Sequence, residues 1–407
     1  MKSSKIVIFL YNRFFDPVVQ SNFWLFIAHT LSDKKHQFHV VSYENPNHPL
    51  TPIEQYKLST WKEMGLGWTP LRWHSGTRLT SKLYDVLQGF FVLLRLRLSG
   101  FRFVMAFASV SGSFSYFYSK LLKYNLYIHS YEPHSEYMLD NGKWKAKSLQ
   151  YKILNYLEYK SAHEAKIIVS ATNFMRKRLM NEWRVKSTFY KIPSVIDEIK
   201  FRFNEQDRID VRSKLNITQD LWVLYYPGKF GDLYYYEETV WMFRWLYELN
   251  ARFHFLIVTP QNPTEIFQIF DAVGVPKNAF TITQSSYDSI HQYASAADFG
   301  IIAVPPGPSK KFISNIKVGE YLCAGLPYLI TKGVSEDYLI ASEKEVGVVV
   351  NDFDKSSILK AYPQICSYLE SDKKRLRNHC REIGVGYRGF ENLSKVFDKA
   401  LIDFTAS

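Results

Sequence analysis

The sequence has little cysteine and no zinc-binding pattern. Its 407 residues include three cysteines, Cys323, Cys366 and Cys380. These are too few and too close to one end for disulfide bonds to stabilise a chain of this length. No Cys/His spacing is typical of a zinc site. The sequence therefore predicts a protein of a reducing compartment that folds without disulfides.

Long uninterrupted apolar segments are also missing. The first ten residues lead directly into a strand-like run without an apolar signal region, so we expect no export. The most apolar stretch, residues 89–110, is interrupted by Arg95, Arg97 and Arg102. Each arginine would cost about 2.5–3.5 kcal/mol near the centre of a bilayer. We therefore expect a cytoplasmic chain that does not span a membrane.

Charge of one sign is in excess, with 51 Lys and Arg against 39 Asp and Glu and a formal net charge of +12. Such an excess suits an anionic partner: nucleic acid, an anionic lipid surface or a phosphorylated substrate. The basic residues are scattered and the aromatic residues are spread through apolar runs, which argues against nucleic acid. No nucleic-acid partner is expected.

Short β-rich runs alternate with helix-length segments along the chain. This pattern is typical of parallel sheets covered by helices on both faces, and the length suits two domains of roughly 200 residues. The linker is predicted around residues 192–204, where a Pro-containing segment at 192–197 gives way to a charged stretch at 204–214. We expect an N-terminal domain over 1–195, a C-terminal domain over 196–385, and a final helix over 386–407 that packs back on the N-terminal domain or elsewhere. The predicted strands are 5–10, 38–42, 126–129, 166–171, 222–226, 253–259, 280–283, 299–304, 327–331 and 346–350.

The most informative segment is residues 309–327. Ser314 or Asn315 is a good helix N-cap, and Gly325 followed by Pro327 is a good stop, so the segment predicts a helix of about nine residues. Lys317 lies in its first turn, where the helix dipole also favours an anion such as phosphate. Glu320 shares that helix face and has the chemistry to hold a ribose diol. The pair predicts a site for a nucleoside diphosphate; the alternative is a solvated Lys317 and a Glu320 that merely favours the helix start.

Two further loops follow predicted strands. Gly228, Lys229 and Gly231 follow the strand at 222–226, where glycines let the backbone approach a ligand closely, although a plain tight turn fits as well. His129, Glu132 and His134 follow the strand at 126–129. A metal site is excluded there because no third ligand is evident, and a structural histidine is the alternative to a functional one. The opening loop, residues 11–21, should border the same crevice with Asn12, Arg13, Asp16, Gln20 and Ser21.

The residues of the second half resemble a known family. Residues 296–301 and 314–327 resemble the donor-site signature of retaining GT-B glycosyltransferases of family four, in the variant P-x-K-x-x-E-Y-L-A-x-G-x-P. Residues 192–197 look like the interdomain segment of that family, and residues 226–231 occupy the place of its first phosphate loop. His129 is similar in position to a first-domain histidine near the donor sugar. The resemblance implies an α/β GT-B fold of two doubly wound, Rossmann-like domains with a crevice between them.

The resemblance also implies a function. A nucleotide-diphosphate sugar would bind the second domain and a glycan or lipid-linked acceptor the first, and a hexosyl group would be transferred with retention and without a metal or other cofactor. This fits the bacterial surface-polysaccharide branch. Independently of the resemblance, the basic charge of residues 89–103 suits the anionic inner face of a membrane, and an ordinary core helix with snorkelling arginines is the alternative. Lys317 and Lys229 would stabilise the leaving diphosphate, and Glu320 would hold the ribose. The remaining implied contacts are Gly228, Gly231, Ser309 and Lys310 on the phosphate side, Gln284 and Ser285 at the base, and His129, Glu132 and His134 at the sugar or acceptor.

Three departures from the family pattern are visible. The position eight residues before Glu320 holds Phe312 where such enzymes often carry a second glutamate. Lys229 stands where an arginine is usual, and the opening loop has no glycine. These changes leave two alternatives: a sugar-nucleotide epimerase or hydrolase on the same fold, or a non-catalytic partner subunit.

Overall fold

The computed structural model describes residues 4–16, 19, 23–33, 35–74, 79–231, 233–286 and 288–406. The chain forms two compact units. Unit 1 comprises Met1–Pro193 and Leu393–Ser407, and unit 2 comprises Ser194–Asn392. Each unit is built around one parallel sheet.

The sheet of unit 1 has seven described strands in the order β3-β2-β1-β4-β5-β6-β7. Every neighbouring pair is parallel. Ile6 to Leu10 in the central strand have no exposed surface, because helices cover both faces of a doubly wound sheet. The strands are β1 (Ser4–Leu10), β2 (His36–Glu44), β3 (Gly67–Arg72), β4 (Phe103–Phe107), β5 (Asn125–His129), β6 (Ile167–Ser170) and β7 (Thr188–Lys191).

Some helices of unit 1 begin at a side-chain cap. The helix α2 (Pro52–Glu63) starts at Thr51, whose hydroxyl accepts from the Glu54 N–H while the Glu54 carboxylate accepts from the Thr51 N–H, a reciprocal capping box. The others are α1 (Trp24–Ser32), α3 (Leu79–Leu98), α4 (Ser109–Leu122), α5 (His134–Asp140), α6 (Leu149–Glu164) and α7 (Asn173–Lys177), with α16 (Phe390–Thr405) returning from unit 2.

The sheet of unit 2 has six described strands in the order β10-β9-β8-β11-β12-β13, again all parallel. Its strands are β8 (Trp222–Pro227), β9 (Phe253–Val258), β10 (Phe280–Thr283), β11 (Phe299–Ile302), β12 (Tyr328–Thr331) and β13 (Gly347–Val350). Its helices are α8 (Glu205–Lys214), α9 (Glu237–Leu249), α10 (Pro263–Val273), α11 (Ile290–Ala296), α12 (Ile316–Cys323), α13 (Asp337–Glu343), α14 (Lys355–Glu370) and α15 (Lys373–Arg388).

Alternate residues of β8 fill the two cores of unit 2. Trp222, Leu224 and Tyr226 pack in the core on one face of the sheet, and Val223 and Tyr225 pack in the core on the other. This follows from the two-residue period of a strand. The doubly wound α/β architecture expected from the sequence is therefore confirmed.

Connectivity reverses once in each sheet, between β1 and β4 in unit 1 and between β8 and β11 in unit 2. Loops at the carboxyl ends of such neighbouring strands separate to opposite faces and leave a ligand-sized crevice. The fold thus marks one candidate position in each unit.

The segment 89–103, which we expected to act as one membrane-facing stretch, is not continuous. Its first part belongs to α3, which ends at Leu98. Gly100 then turns the chain with a φ of 90°, and Phe103 begins β4. Among the described residues, no helix has the length and apolarity needed to cross a membrane.

Candidate functional site

The helix α12 begins beside the point where the connectivity of the unit 2 sheet reverses. It follows β11 and runs from Ile316 to Cys323, with Asn315 as N-cap and Gly325 just beyond its end at a φ of 78°. This confirms the short helix that the sequence predicted. The Asn315 side chain makes no capping hydrogen bond. The N–H of Val318 donates to the Asn315 carbonyl at 3.2 Å, and those of Ile316 and Lys317 are left available to a ligand by the described residues.

Lys317 lies in this first turn against two aromatic rings. Its ammonium is 4.5 Å from the ring centre of Tyr226 and 4.3 Å from that of Tyr234. It forms no salt bridge with any described residue. Burial lowers the pKa of Lys317 to about 8, although the charge of Glu320 opposes this shift. Among the described residues, this desolvated cation is therefore supported by two π-faces and by the charge of Glu320 rather than by a salt bridge.

Glu320 is nearly buried on the same helix, with 7% of its surface exposed. Burial raises its pKa to about 7, against the opposing charges of Lys317 and Lys200. No hydrogen bond to another described residue compensates its carboxylate. A buried carboxylate without a donor is costly unless a ligand supplies one, and a ribose diol would supply two.

The loop after β8 approaches Lys317 through a glycine. Gly228 has a φ of 96°, and a Cβ placed on it would lie 3.2 Å from Cε of Lys317. The Tyr226 hydroxyl donates to the carbonyl of Lys229 at 2.7 Å, so the residue whose ring supports Lys317 also fixes the loop. Gly231 has a φ of 79°. The structure thus places Gly228 beside Lys317, whereas the Lys229 side chain is exposed.

Gln261 holds the same loop and was not predicted from the sequence. Its side-chain amide accepts from the N–H of Phe230 and donates to the carbonyl of that residue at 3.1 Å. Gln284 donates to the carbonyl of Gln261 at 3.1 Å, and Ser285 donates to the carbonyl of Ser286 at 3.2 Å. The proposed base loop therefore contacts the phosphate loop through Gln261.

Ser309 and Lys310 are buried, with 0% and 2% of their surface exposed. They precede α12 at a short 3₁₀ turn that ends at Phe312. Phe312 is also buried, so the residue that departs from the family pattern packs as a hydrophobic side chain. Lys310 additionally accepts from the N–H of Ser335 through its carbonyl at 2.8 Å.

A buried ion pair fixes the start of α12, and sequence reasoning missed it. Arg388 and Asp337 have no exposed surface and are 2.5 Å apart. Arg388 also donates to the hydroxyl of Ser314 at 2.6 Å, and Asn315 donates to Asp337 at 3.2 Å. Ser314 is thus tied directly to α15, 74 positions later in the sequence, and Asn315 is tied to Asp337 of α13, 22 positions later.

In unit 1, His129 lies inside an aromatic cluster at the end of β5. Its ring centre is 5.5 Å from those of Phe23 and Phe107, and its Nε2 is 3.0 Å from the Tyr131 hydroxyl. It has no exposed surface, and burial lowers its pKa to about 3. His129 is therefore neutral near pH 7, and its surroundings are those of the structural histidine that the sequence left as an alternative.

Glu132 and His134 form a pair at the start of α5. Nδ1 of His134 is 2.9 Å from the Glu132 carboxylate. Burial lowers the pKa of His134, but the hydrogen bond and charge of Glu132 outweigh it, so the net shift is upward. Both side chains are about one-third exposed, so this pair is accessible to a ligand whereas His129 is not.

The opening loop makes its own contacts. Arg13 is 3.4 Å from Glu54, and Asn12 donates to Asp16 at 3.3 Å. Gln20 and Ser21 lie outside the described residues. The described part of the chain contains no cluster of His, Cys, Asp and Glu suited to a metal ion.

No family model matches the sequence, and no curated protein matches it. Solved structures do match. A glycosyltransferase from Rickettsia africae gives a TM-score of 0.71 at 12% identity over 100% of both chains. HepE of Anabaena, solved in complex with UDP, gives 0.69 at 11% identity over 98% of this chain and 99% of HepE. WaaG, a glycosyltransferase involved in lipopolysaccharide biosynthesis, gives 0.68 at 15% identity over 98% of this chain and 99% of WaaG.

The chain has the GT-B fold. The fold class implied by the sequence resemblance is thereby confirmed.

Proposed function

We propose that the protein transfers a sugar from a nucleotide-diphosphate sugar to a glycan or lipid-linked acceptor. The observation that carries this proposal is the buried pair Lys317 and Glu320, neither of which has a salt-bridge partner among the described residues, at the reversal point of the unit 2 sheet. A diphosphate would satisfy the cation and the first-turn N–H groups, and a ribose would satisfy the carboxylate. HepE, whose fold is similar, has been solved with UDP and with UDP-glucose.

The proposed reaction is a retaining, metal-independent hexosyl transfer. The bond between the anomeric carbon and the diphosphate oxygen breaks, and the acceptor oxygen bonds to the same face of that carbon. The acceptor proton passes to the departing diphosphate. Lys317 and the N-terminus of α12 stabilise the charge that develops on the leaving group, so no carboxylate nucleophile is needed.

The geometry supports some of the other proposed contacts more directly than others. Gly228 lies against Lys317 and lets the loop approach a phosphate, while the exposed Lys229 is free to reach a terminal phosphate oxygen. Ser309 and Lys310 are assigned to the phosphate side, and Gln284 and Ser285 to the base. Glu132 and His134 are proposed to contact the acceptor, whereas the buried His129 would act by holding Tyr131 beside them.

Nucleotide binding tests the donor site. We would measure thermal shifts and titrations with UDP, GDP, CMP, ADP and dTDP, then with the matching sugar nucleotides. Lys317→Met and Glu320→Gln should each weaken binding by about tenfold to a hundredfold, because each removes a charge-assisted interaction. Lys344→Met and Glu343→Gln, at exposed positions of unit 2, are the matched controls.

The outcomes separate the alternatives. Sugar released without an acceptor would indicate the hydrolase alternative, and conversion of the donor sugar the epimerase. Wild-type affinity in both Lys317→Met and Glu320→Gln would contradict the assignment. No binding by well-folded protein would favour the non-catalytic subunit. With an active acceptor, the anomeric configuration of the product by NMR tests retention.

We also propose that the protein is cytoplasmic and binds the inner membrane face peripherally, in polysaccharide biosynthesis, through one face of α3. Leu83, Leu87, Phe91 and Leu98 are exposed there at spacings that keep them on one side of the helix. Arg95 is exposed on the same face and suits anionic lipid. Arg97 instead donates to the carbonyl of Leu122.

Vesicle flotation tests this contact. Leu87→Glu with Phe91→Glu should abolish binding to vesicles containing anionic lipid. Ile53→Glu, at an exposed apolar position of α2, should leave it unchanged. Equal flotation of the double variant and wild type would contradict the membrane proposal without affecting the donor site.

A further inference from the structure

A buried carboxylate in unit 1 gathers polar side chains that the proposed donor site does not use. Asp85 on α3 has no exposed surface. One of its oxygens accepts from the Tyr11 hydroxyl at 2.5 Å, and the other is 2.6 Å from Nδ1 of His74. The ammonium of Lys82 donates to the Tyr11 oxygen at 2.7 Å and lies 3.8 Å from Asp85. Asp85 is therefore fully engaged, and we call these four residues the Asp85 cluster.

The Asp85 cluster lies at the carboxyl edge of the unit 1 sheet. Tyr11 directly follows β1, and its N–H donates to the hydroxyl of Ser111 on α4 at 2.7 Å. Since α4 follows β4, this contact joins the two loops at the point where the connectivity of the sheet reverses. That is where doubly wound sheets bind ligands.

Asp85 fixes the orientation and tautomer of His74. A carboxylate only accepts hydrogen bonds, so Nδ1 of His74 carries a proton, and in the neutral imidazole Nε2 then presents a lone pair. The His74 side chain is 28% exposed, whereas Asp85 is not exposed at all. The arrangement thus offers an oriented hydrogen-bond acceptor backed by a buried positioning group.

The surroundings indicate what would bind this acceptor. One ammonium and one carboxylate cancel in formal charge, so the Asp85 cluster gives little attraction to a phosphate. The ring of Tyr84 is 5.0 Å from that of His74 and 54% exposed, and Lys82 lies over the ring of Trp73 at 5.5 Å. Aromatic walls with a few oriented polar groups are typical of sites for small neutral ligands. A hydroxyl that donates to Nε2 completes such a site.

We propose that His74 binds a neutral glycoside: its Nε2 accepts a hydrogen bond from a sugar hydroxyl, Asp85 positions the imidazole, and Tyr84 forms the apolar wall. The glycoside is the acceptor of the reaction proposed above, and this identification rests on that proposed function. The binding itself depends only on unit 1 residues.

Binding of octyl glycosides to the full chain tests the proposal. The probes are the octyl α- and β-glycosides of glucose, galactose, mannose and N-acetylglucosamine at millimolar concentration, followed by imidazole NMR signals of labelled histidine. We expect at least one probe to shift the His74 signals. His74→Asn keeps an N–H for Asp85 in the place of Nδ1 but removes Nε2, and it should weaken that probe by about tenfold.

Two controls distinguish a binding role of His74 from a purely structural one. His48→Asn, at an exposed histidine of the same unit, should bind the probe as wild type does. His74→Asn should bind nucleotide as wild type does, since the donor site lies in unit 2. A merely structural His74 would instead lower the melting temperature and leave probe affinity unchanged.

The proposal is overturned if no probe shifts the His74 signals, or if His74→Asn binds a probe as tightly as wild type does. Probe binding at His74 without any nucleotide binding would overturn the proposed function and leave the glycoside site. Nucleotide binding without a response at His74 would overturn the glycoside site and leave the proposed function.

Discussion

Unit 2 contains two kinds of buried charge within one fold. Asp298 is 2.9 Å from Arg208 and 2.7 Å from Arg212, and all three are buried. Burial acts to raise the pKa of Asp298, but the two guanidinium groups outweigh it and the net shift is downward. Lys317 and Glu320 are buried without such partners in the described part of the chain, and their pKa values move toward the neutral forms, to about 8 and about 7.

This difference distinguishes a buried ion pair with a structural role, at Asp298, from a buried pair that is a candidate for function, Lys317 and Glu320. The Asp298 group joins α8 to the residues before β11, since Arg212 also donates to the carbonyl of Ala296 at 2.9 Å. Its charges are satisfied within the protein. Those of Lys317 and Glu320 find no ion-pair partner among the residues that the structure describes, and strongly shifted groups in a crevice are candidates for function. We therefore expect substitutions at the two places to have opposite effects on stability.

Removing the carboxylate of the satisfied group should give the largest effect. Asp298→Asn leaves two buried guanidinium groups without a counter-charge, and such losses cost about 3–5 kcal/mol. Chemical denaturation should show this loss, while nucleotide affinity of the folded fraction stays unchanged. Asp352→Asn, in an exposed loop of the same unit, is the control, and an equal effect in both would remove the distinction.

Neutralising the unsatisfied pair should stabilise the protein while weakening nucleotide binding. The pKa of Glu320 is raised above its ordinary value of 4.5 to about 7. Its ionisation therefore costs stability as pH rises through this interval, and the cost is complete above about pH 7. Glu320→Gln should then gain about 1–3 kcal/mol near pH 8 and nothing near pH 4. Destabilisation near pH 8 would show that the carboxylate has a partner in the folded protein.

Nucleotide affinity should first rise and then fall as the pH increases. This is the smallest of the three effects. Binding requires an ionised Glu320 and a charged Lys317, so affinity should rise through about pH 7 and fall above about pH 8. Each limb should change affinity by about tenfold per pH unit. Calorimetry at a series of pH values measures this. In Glu320→Gln the lower limb should vanish, and its persistence would assign the titration to another group.

Strands with continuous apolar runs could be predicted from the sequence, whereas the two edge strands of unit 1 could not. Trp222–Pro227 and Phe253–Val258 are recognisable because buried parallel strands are apolar on both faces. The missed β3 and β7 lie at the two edges of the unit 1 sheet, where one side needs no partner and β3 even tolerates Pro70. The sequence does not predict β4, because its residues belong to an apolar run that continues from α3.

The candidate site could be predicted only where it is local in sequence. Lys317 and Glu320 share one short helix whose N-cap and stop are adjacent, so helix rules alone place them together. Gln261, Arg388 and the Asp85 cluster act through contacts between residues far apart in the chain, and no spacing pattern marks them. His129 shows that a position local in sequence can also mislead. A residue at the end of a strand can be predicted to face a crevice and yet be buried.

A crystal structure with a nucleoside diphosphate bound tests the central claim most directly. We expect the diphosphate at the N-terminus of α12 within hydrogen-bond distance of Lys317, and the ribose hydroxyls on the carboxylate of Glu320. A nucleotide bound elsewhere in the chain, with Lys317 and Glu320 still without a ligand, would contradict it.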